Sequence, residues 1–151
     1  MSVWGLTLTY PESWTPEADE DDAYYLTSPD GGLIQILYTP EENSYWDKNT
    51  PDDEIEPIVQ AIKSGLLAPG ELKDKSIDDM TISTFNEGKK ATGVFTYSLD
   101  NVIFKGPIQF IFSGSSSYII VASIPSDVTS EQYEQLNQFI ENIKVKPYSA
   151  S

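Results

Sequence analysis

A chain of 151 residues with no cysteine, no histidine and no arginine excludes disulfides, thiolate metal sites, cysteine nucleophiles and imidazole acid–base catalysis. Hydrophobic residues, at 39%, suffice for one core, and no run approaches the ~18 consecutive apolar residues of a membrane span. The net charge of −15 is uneven: residues 1–56 hold 14 acidic residues and one lysine, the rest 10 acidic residues and 8 lysines, a field that repels nucleic acid and favours cations or a basic protein partner, with solubility alone as the competing reading.

Residues 6–10 alternate and predict a strand with Leu6, Leu8 and Tyr10 on one face. Pro11 ends it, and residues 15–22 read as an acidic, turn-like segment. Residues 24–27 and 33–38 then flank Ser28-Pro29-Asp30-Gly31-Gly32, where Pro presets one φ and Gly takes a positive one, the chemistry of a hairpin turn. A polar loop over 39–53 carries Tyr45-Trp46. Ile55, Ile58, Val59, Ile62 and Leu66 recur at helical spacing, with Asp53 as the expected N-cap and Glu56 completing a capping box. That assignment puts Pro57 in the first turn and ends the helix near Leu67, before Pro69-Gly70.

From residue 76 onward the pattern is a meander. Strands are expected over 80–85, 91–99, 102–112 and 118–124, with turns at 86–89 and Asp100-Asn101. Gly106-Pro107 predicts a bulge or a sheet edge, and 113–117 a flexible hairpin loop. Residues 118–124 are almost uniformly apolar and belong at the sheet centre. A last helix begins after Pro125-Ser126-Asp127, with Thr129 and Gln132 as a capping box. Its stripe is Tyr133, Leu136, Phe139, Ile140 and Ile143; Lys144 and Lys146 complement its dipole. The tail beyond Pro147 is expected to be disordered. The order of elements predicts a single α+β domain over 1–151, ordered over about 4–147, with a central, mainly antiparallel sheet flanked by helices.

Candidate chemistry is sparse. Asp19, Asp21 and Asp22 are candidate Ca2+ ligands, but the third ligand position of an EF-hand loop falls on Ala23 and no glycine follows, so a solvated acidic loop competes. Asp52, Asp53, Glu54 and Glu56 suit the start of a helix. No Ser-x-x-Lys occurs, and nothing in the spacing singles out a carboxylate pair, so the chain is expected not to be an enzyme and to need no cofactor. Tyr45 and Trp46, in a polar loop, are candidate anchors for a partner, with folding back over the sheet as the alternative.

Tyr10-Pro11-Glu12-Ser13-Trp14, Ser28-Pro29-Asp30-Gly31, the run Lys90-Ala91-Thr92-Gly93-Val94-Phe95-Thr96-Tyr97, residues 113–121 and the final helix with Tyr133 and Phe139-Ile140 together resemble the Mog1/PsbP-like superfamily, including its exported bacterial lipoprotein branches. The resemblance spans roughly residues 6–145. It implies an antiparallel sheet flanked by helices and a non-catalytic binding or accessory role. It also implies an extracytoplasmic or cell-surface location, with the cytoplasm as the alternative. Any acyl anchor would lie upstream of the residues given, since no cysteine is present. Two functions are therefore expected to compete: a protein-interaction module using the acidic part of the chain and Tyr45-Trp46, and a small-molecule or divalent-metal-binding domain with a cleft between sheet and helix.

Overall fold

The computed structural model describes residues 2–3, 5–10, 12–20, 23–29, 31–41, 43–70, 72–78, 80–127 and 130–145, without the side chains of 2, 3 and 18–20. In chain order the elements are β1 (Ser2–Val3), β2 (Leu6–Thr7), β3 (Thr15–Glu20), β4 (Ala23–Thr27), β5 (Leu33–Pro40) and α1 (Asp52–Leu66). There follow β6 (Lys73–Ile77), β7 (Thr81–Phe85), β8 (Gly88–Leu99), β9 (Val102–Ser113), β10 (Ser116–Pro125), α2 (Ser130–Glu141) and β11 (Lys144–Val145). Eight strands form one antiparallel sheet in the order β3-β4-β5-β10-β9-β8-β6, with β7 sharing the outer edge of β8. A small second sheet runs β1-β2-β11. The fold class is α+β with a large antiparallel sheet, as the order of elements predicts.

The apolar strand β10 lies at the centre, between β5 and β9. Adjacent residues of a strand face opposite sides of the sheet, so β9 feeds two cores. Ile111 joins Ile34, Ile36, Tyr118 and Ile120 beneath Leu136, Phe139 and Ile140 of α2. Phe110 and Phe112 join Ala91 and Phe95 beneath Ile55 and Val59 of α1. Each such side chain contributes roughly 1.5–3 kcal/mol when fully buried, which is why both helices, short on their own, hold to the sheet. The hairpin from β4 to β5 turns as its sequence predicts: Gly31 has φ 86°, and Ser28 Oγ accepts from the Gly32 amide at 2.9 Å. Asp100 and Asn101 turn β8 into β9 with φ 51° and 67°.

Several local expectations are corrected. Residues 15–20 are the edge strand β3, paired with β4; β6, unanticipated, pairs with β8. Gly106 and Pro107 lie within an interior strand. Pairing of β9 with β8 runs unbroken from Lys89↔Phe112 to Leu99↔Val102, and pairing with β10 stops at Val121↔Ile108 and resumes at Ile124↔Lys105 in the same register. The amide that proline lacks thus falls opposite a gap in one ladder, without a bulge. The hairpin after β9 is tight, since Ser113, Ser116 and Ser117 are buried strand residues.

Helix α1 starts at Asp52 behind Pro51, with no side-chain cap, and Glu56 bonds Gln60 at 3.0 Å instead of capping. Pro57 is therefore the sixth helical residue, beyond the first turn, and packing of Ile55 and Val59 offsets the lost amide. Lys144 belongs to β11, so the last turn of α2 has no basic residue. Thr129, Lys146 and the tail beyond Pro147 lie outside the described residues.

Candidate functional site

Two aromatic neighbours in the loop before α1 have opposite fates. The Trp46 amide donates to the Gly114 carbonyl at 2.9 Å, and the Gly114 amide returns a bond to the Trp46 carbonyl at 2.8 Å. This bridge ties the loop to the β9–β10 turn and drives the indole edge-on against Phe112, with ring centroids 5.3 Å apart. Trp46 is 6% exposed and belongs to the core, so it is not available as a partner anchor. Tyr45 is 74% exposed. The Glu41 amide, donating to the Ser115 carbonyl at 2.7 Å, fixes the loop further, so Tyr45 projects from a braced segment.

The same loop runs into an acidic corner. Thr50 and Asp47 bond reciprocally, Thr50 N–H to the Asp47 carbonyl at 3.1 Å and Asp47 N–H to Thr50 Oγ1 at 2.9 Å, and Asn49 N–H reaches Asp47 Oδ1 at 2.8 Å. Asp52, Asp53 and Glu54 then occupy the first turn of α1, where the positive end of the helix dipole favours them. Asp52 accepts from Lys89 Nζ at 2.9 Å; Lys89 is 7% exposed and also donates to Thr84 Oγ1. Asp53, Glu54 and Glu56 stay exposed. Trp46 shares a core cluster with Ile55 and Val59, so the loop that carries Tyr45 and helix α1 pack over the same face of the sheet.

Of the candidate metal ligands, Asp21 and Asp22 lie outside the described residues, as does the side chain of Asp19, whose backbone belongs to β3. Among the described residues no group of three or more acidic side chains is gathered as a metal would require.

A cleft of about 490 Å3 opens between the sheet and α2. Its floor is built by Thr92 and Val94 of β8 with Pro107 and Gln109 of β9; Thr81 and Ser83 of β7 form one wall. Asn137, Ile140 and Glu141 of α2 form the other, with Lys90 and Asp78 also lining it. Nearby, burial first and the Asp78 charge second push the Tyr133 phenol above its ordinary value, and the Lys105 ammonium sits 5.8 Å from its ring centroid. The sequence predicts a cleft between sheet and helix as one alternative but assigns no residue to it. The lining comes from β7, β8, β9 and α2 together with Asp78, which lies between β6 and β7, and strand register brings them together.

No family model and no curated protein matches the chain. Among solved structures, the chain is similar to a protein from Bacteroides thetaiotaomicron VPI-5482 whose crystal structure was determined at 1.50 Å. The TM-score is 0.55 at 12% identity, over 95% of this chain and 46% of that one. The likeness supports the fold, and the chain spans about half the length of that neighbour. Among the described residues no helix is long and apolar enough to cross a membrane.

Proposed function

We propose that the chain is a non-catalytic, protein-binding accessory domain on a Mog1/PsbP-like scaffold, placed outside the cytoplasm or at the cell surface, and that it meets a basic partner through Tyr45 and the first turn of α1. One observation carries this reading: Tyr45 is exposed beside a tryptophan locked into the core, on a loop held at both ends by backbone hydrogen bonds. A tyrosine presented in this way offers a large contact area at low entropic cost. The exposed carboxylates of Asp53 and Glu54 steer a positively charged surface toward it and reject acidic ones. The missing histidine, cysteine and arginine support a binding role over conventional side-chain catalysis. The family assignment rests on the sequence resemblance, with which the antiparallel sheet and its flanking helices agree.

A photo-crosslinking residue placed at position 45 in the producing cells tests the reading, with position 131 on exposed α2 as control. The reading expects one protein partner captured from position 45 and not from 131. Equal capture at both positions, or none at 45, contradicts it.

A further inference from the structure

The row of residues that crosses the sheet at the level of the cleft changes character partway along. The paired residues run Tyr24, Ile36, Ile120, Gln109, Thr92, Thr81 on a single face. Tyr24, Ile36 and Ile120 are core residues on the face that α2 covers. At Gln109 the row turns polar and the cleft begins. Gln109 is 3% exposed, yet among the described residues its side-chain amide has no hydrogen-bond partner in the chain. No buried side-chain polar atom is left unsatisfied there, so the amide opens onto the cleft. A leucine would fill such a floor without the desolvation cost of an amide. What the amide adds is recognition: two donors and an acceptor, aimed into a space of about 490 Å3, within the roughly 300–1,000 Å3 usual for small-ligand sites.

Both signs of charge line the same space. Lys90 lies one row from Gln109 on the same face; among the described residues it makes no ion pair, and its ammonium rests 5.8 Å from the centroid of the Phe85 ring, a contact that a ligand carboxylate would have to share or replace. Asp78 and Glu141 bring exposed carboxylates to the same lining. Among the described residues no aromatic side chain lines the cleft as a platform for a sugar ring, and the overall charge of −15 opposes an anionic guest.

We infer that this cleft binds a small amide-bearing zwitterion, a dipeptide or an amino acid with a side-chain amide. Its carboxylate meets Lys90, its ammonium meets Asp78 or Glu141, and its amide pairs with Gln109 and Asn137. The apolar surface of Val94, Pro107 and Ile140 takes its methylene groups. The site is independent of the Tyr45 loop.

Titration calorimetry and amide-resolved NMR with L-glutamine and glycylglycine test the inference, with glucose and succinate as neutral and anionic controls. At least one zwitterion is expected to bind saturably and to shift the side-chain amide signals of Gln109 and Asn137. Gln109→Leu and Lys90→Met should each weaken that binding by about tenfold, the effect of losing one hydrogen bond to a charged or buried group. Lys90→Met decides the matter if Gln109→Leu fails to fold. The inference is overturned if neither zwitterion binds, if glucose or succinate binds as well, or if the folded variants bind like the parent.

Discussion

The Lys89 ammonium lies 2.9 Å from the Asp52 carboxylate and joins β8 to the first residue of α1 across 37 positions of sequence. The lysine is buried and the aspartate is largely exposed, so the pair falls between the surface and interior cases. Asp52→Asn should lower stability by about 1–2 kcal/mol, because Lys89 keeps only Thr84 as a partner. Lys89→Met combined with Asp52→Asn should recover most of that loss, since a methionine there buries no charge. Urea unfolding of the two variants and the parent checks both outcomes.

The two loop aromatics should separate sharply. Trp46→Ala removes a buried indole packed on Phe112 and should cost about 3–5 kcal/mol, with a matching fall in the urea midpoint. Tyr45→Ala should change stability by less than about 0.5 kcal/mol. The same pair read in a partner-binding assay should reverse in importance, with Tyr45 dominant.

Much of the architecture is legible where sequence signals are local. The glycine at position 31, the Asp100-Asn101 turn, the apolar run of β10 and the stripe of α2 each act within a few residues, and the structure realises all four. The edge strands β3 and β6 are hidden because Thr15-Pro16-Glu17 and Lys73-Asp74-Lys75-Ser76 carry the proline and charges that guard an edge, and these also read as loop. The start of α1 is displaced because Asp52 is drawn to Lys89, a partner on another element. Trp46 is buried through a bridge to Gly114, 68 positions away, which no local pattern announces. The cleft floor depends on the registers of β7, β8 and β9 together.

Gly106 is a glycine for reasons of close approach. A Cβ there would run into the Ala122 carbonyl oxygen and lie 2.8 Å from the Ser123 Cα, both backbone of the central strand. Gly106→Ala should therefore push β10 from β9 and cost about 1–3 kcal/mol or more, the range of overpacked interiors. Gly70→Ala, in open space after α1, serves as the neutral comparison in the same denaturation series.

Tyr97 ties stability to alkaline pH. Burial holds its phenol above the usual 10.0, an effect partly offset by a 2.7 Å hydrogen bond with Ser123 Oγ. Below 10.0 the folded and unfolded chains both keep the proton, and the contribution is constant. As pH rises past that value the unfolded chain loses its proton first, so stability falls until the folded phenol also ionises. Unfolding at about pH 7 and about pH 10.5 should show that fall, and Tyr97→Phe should reduce it while costing about 1 kcal/mol at neutrality through the unpaired Ser123 hydroxyl.

The central claim is that Tyr45 and the first turn of α1 contact a basic partner. The most direct measurement is the yield of the cross-link from position 45 with and without Asp53→Lys and Glu54→Lys, two exposed residues that are not members of the Lys89–Asp52 pair. The account predicts a partner whose capture falls by about tenfold on charge reversal and weakens as salt is raised. Capture unchanged by reversal and by salt would contradict it.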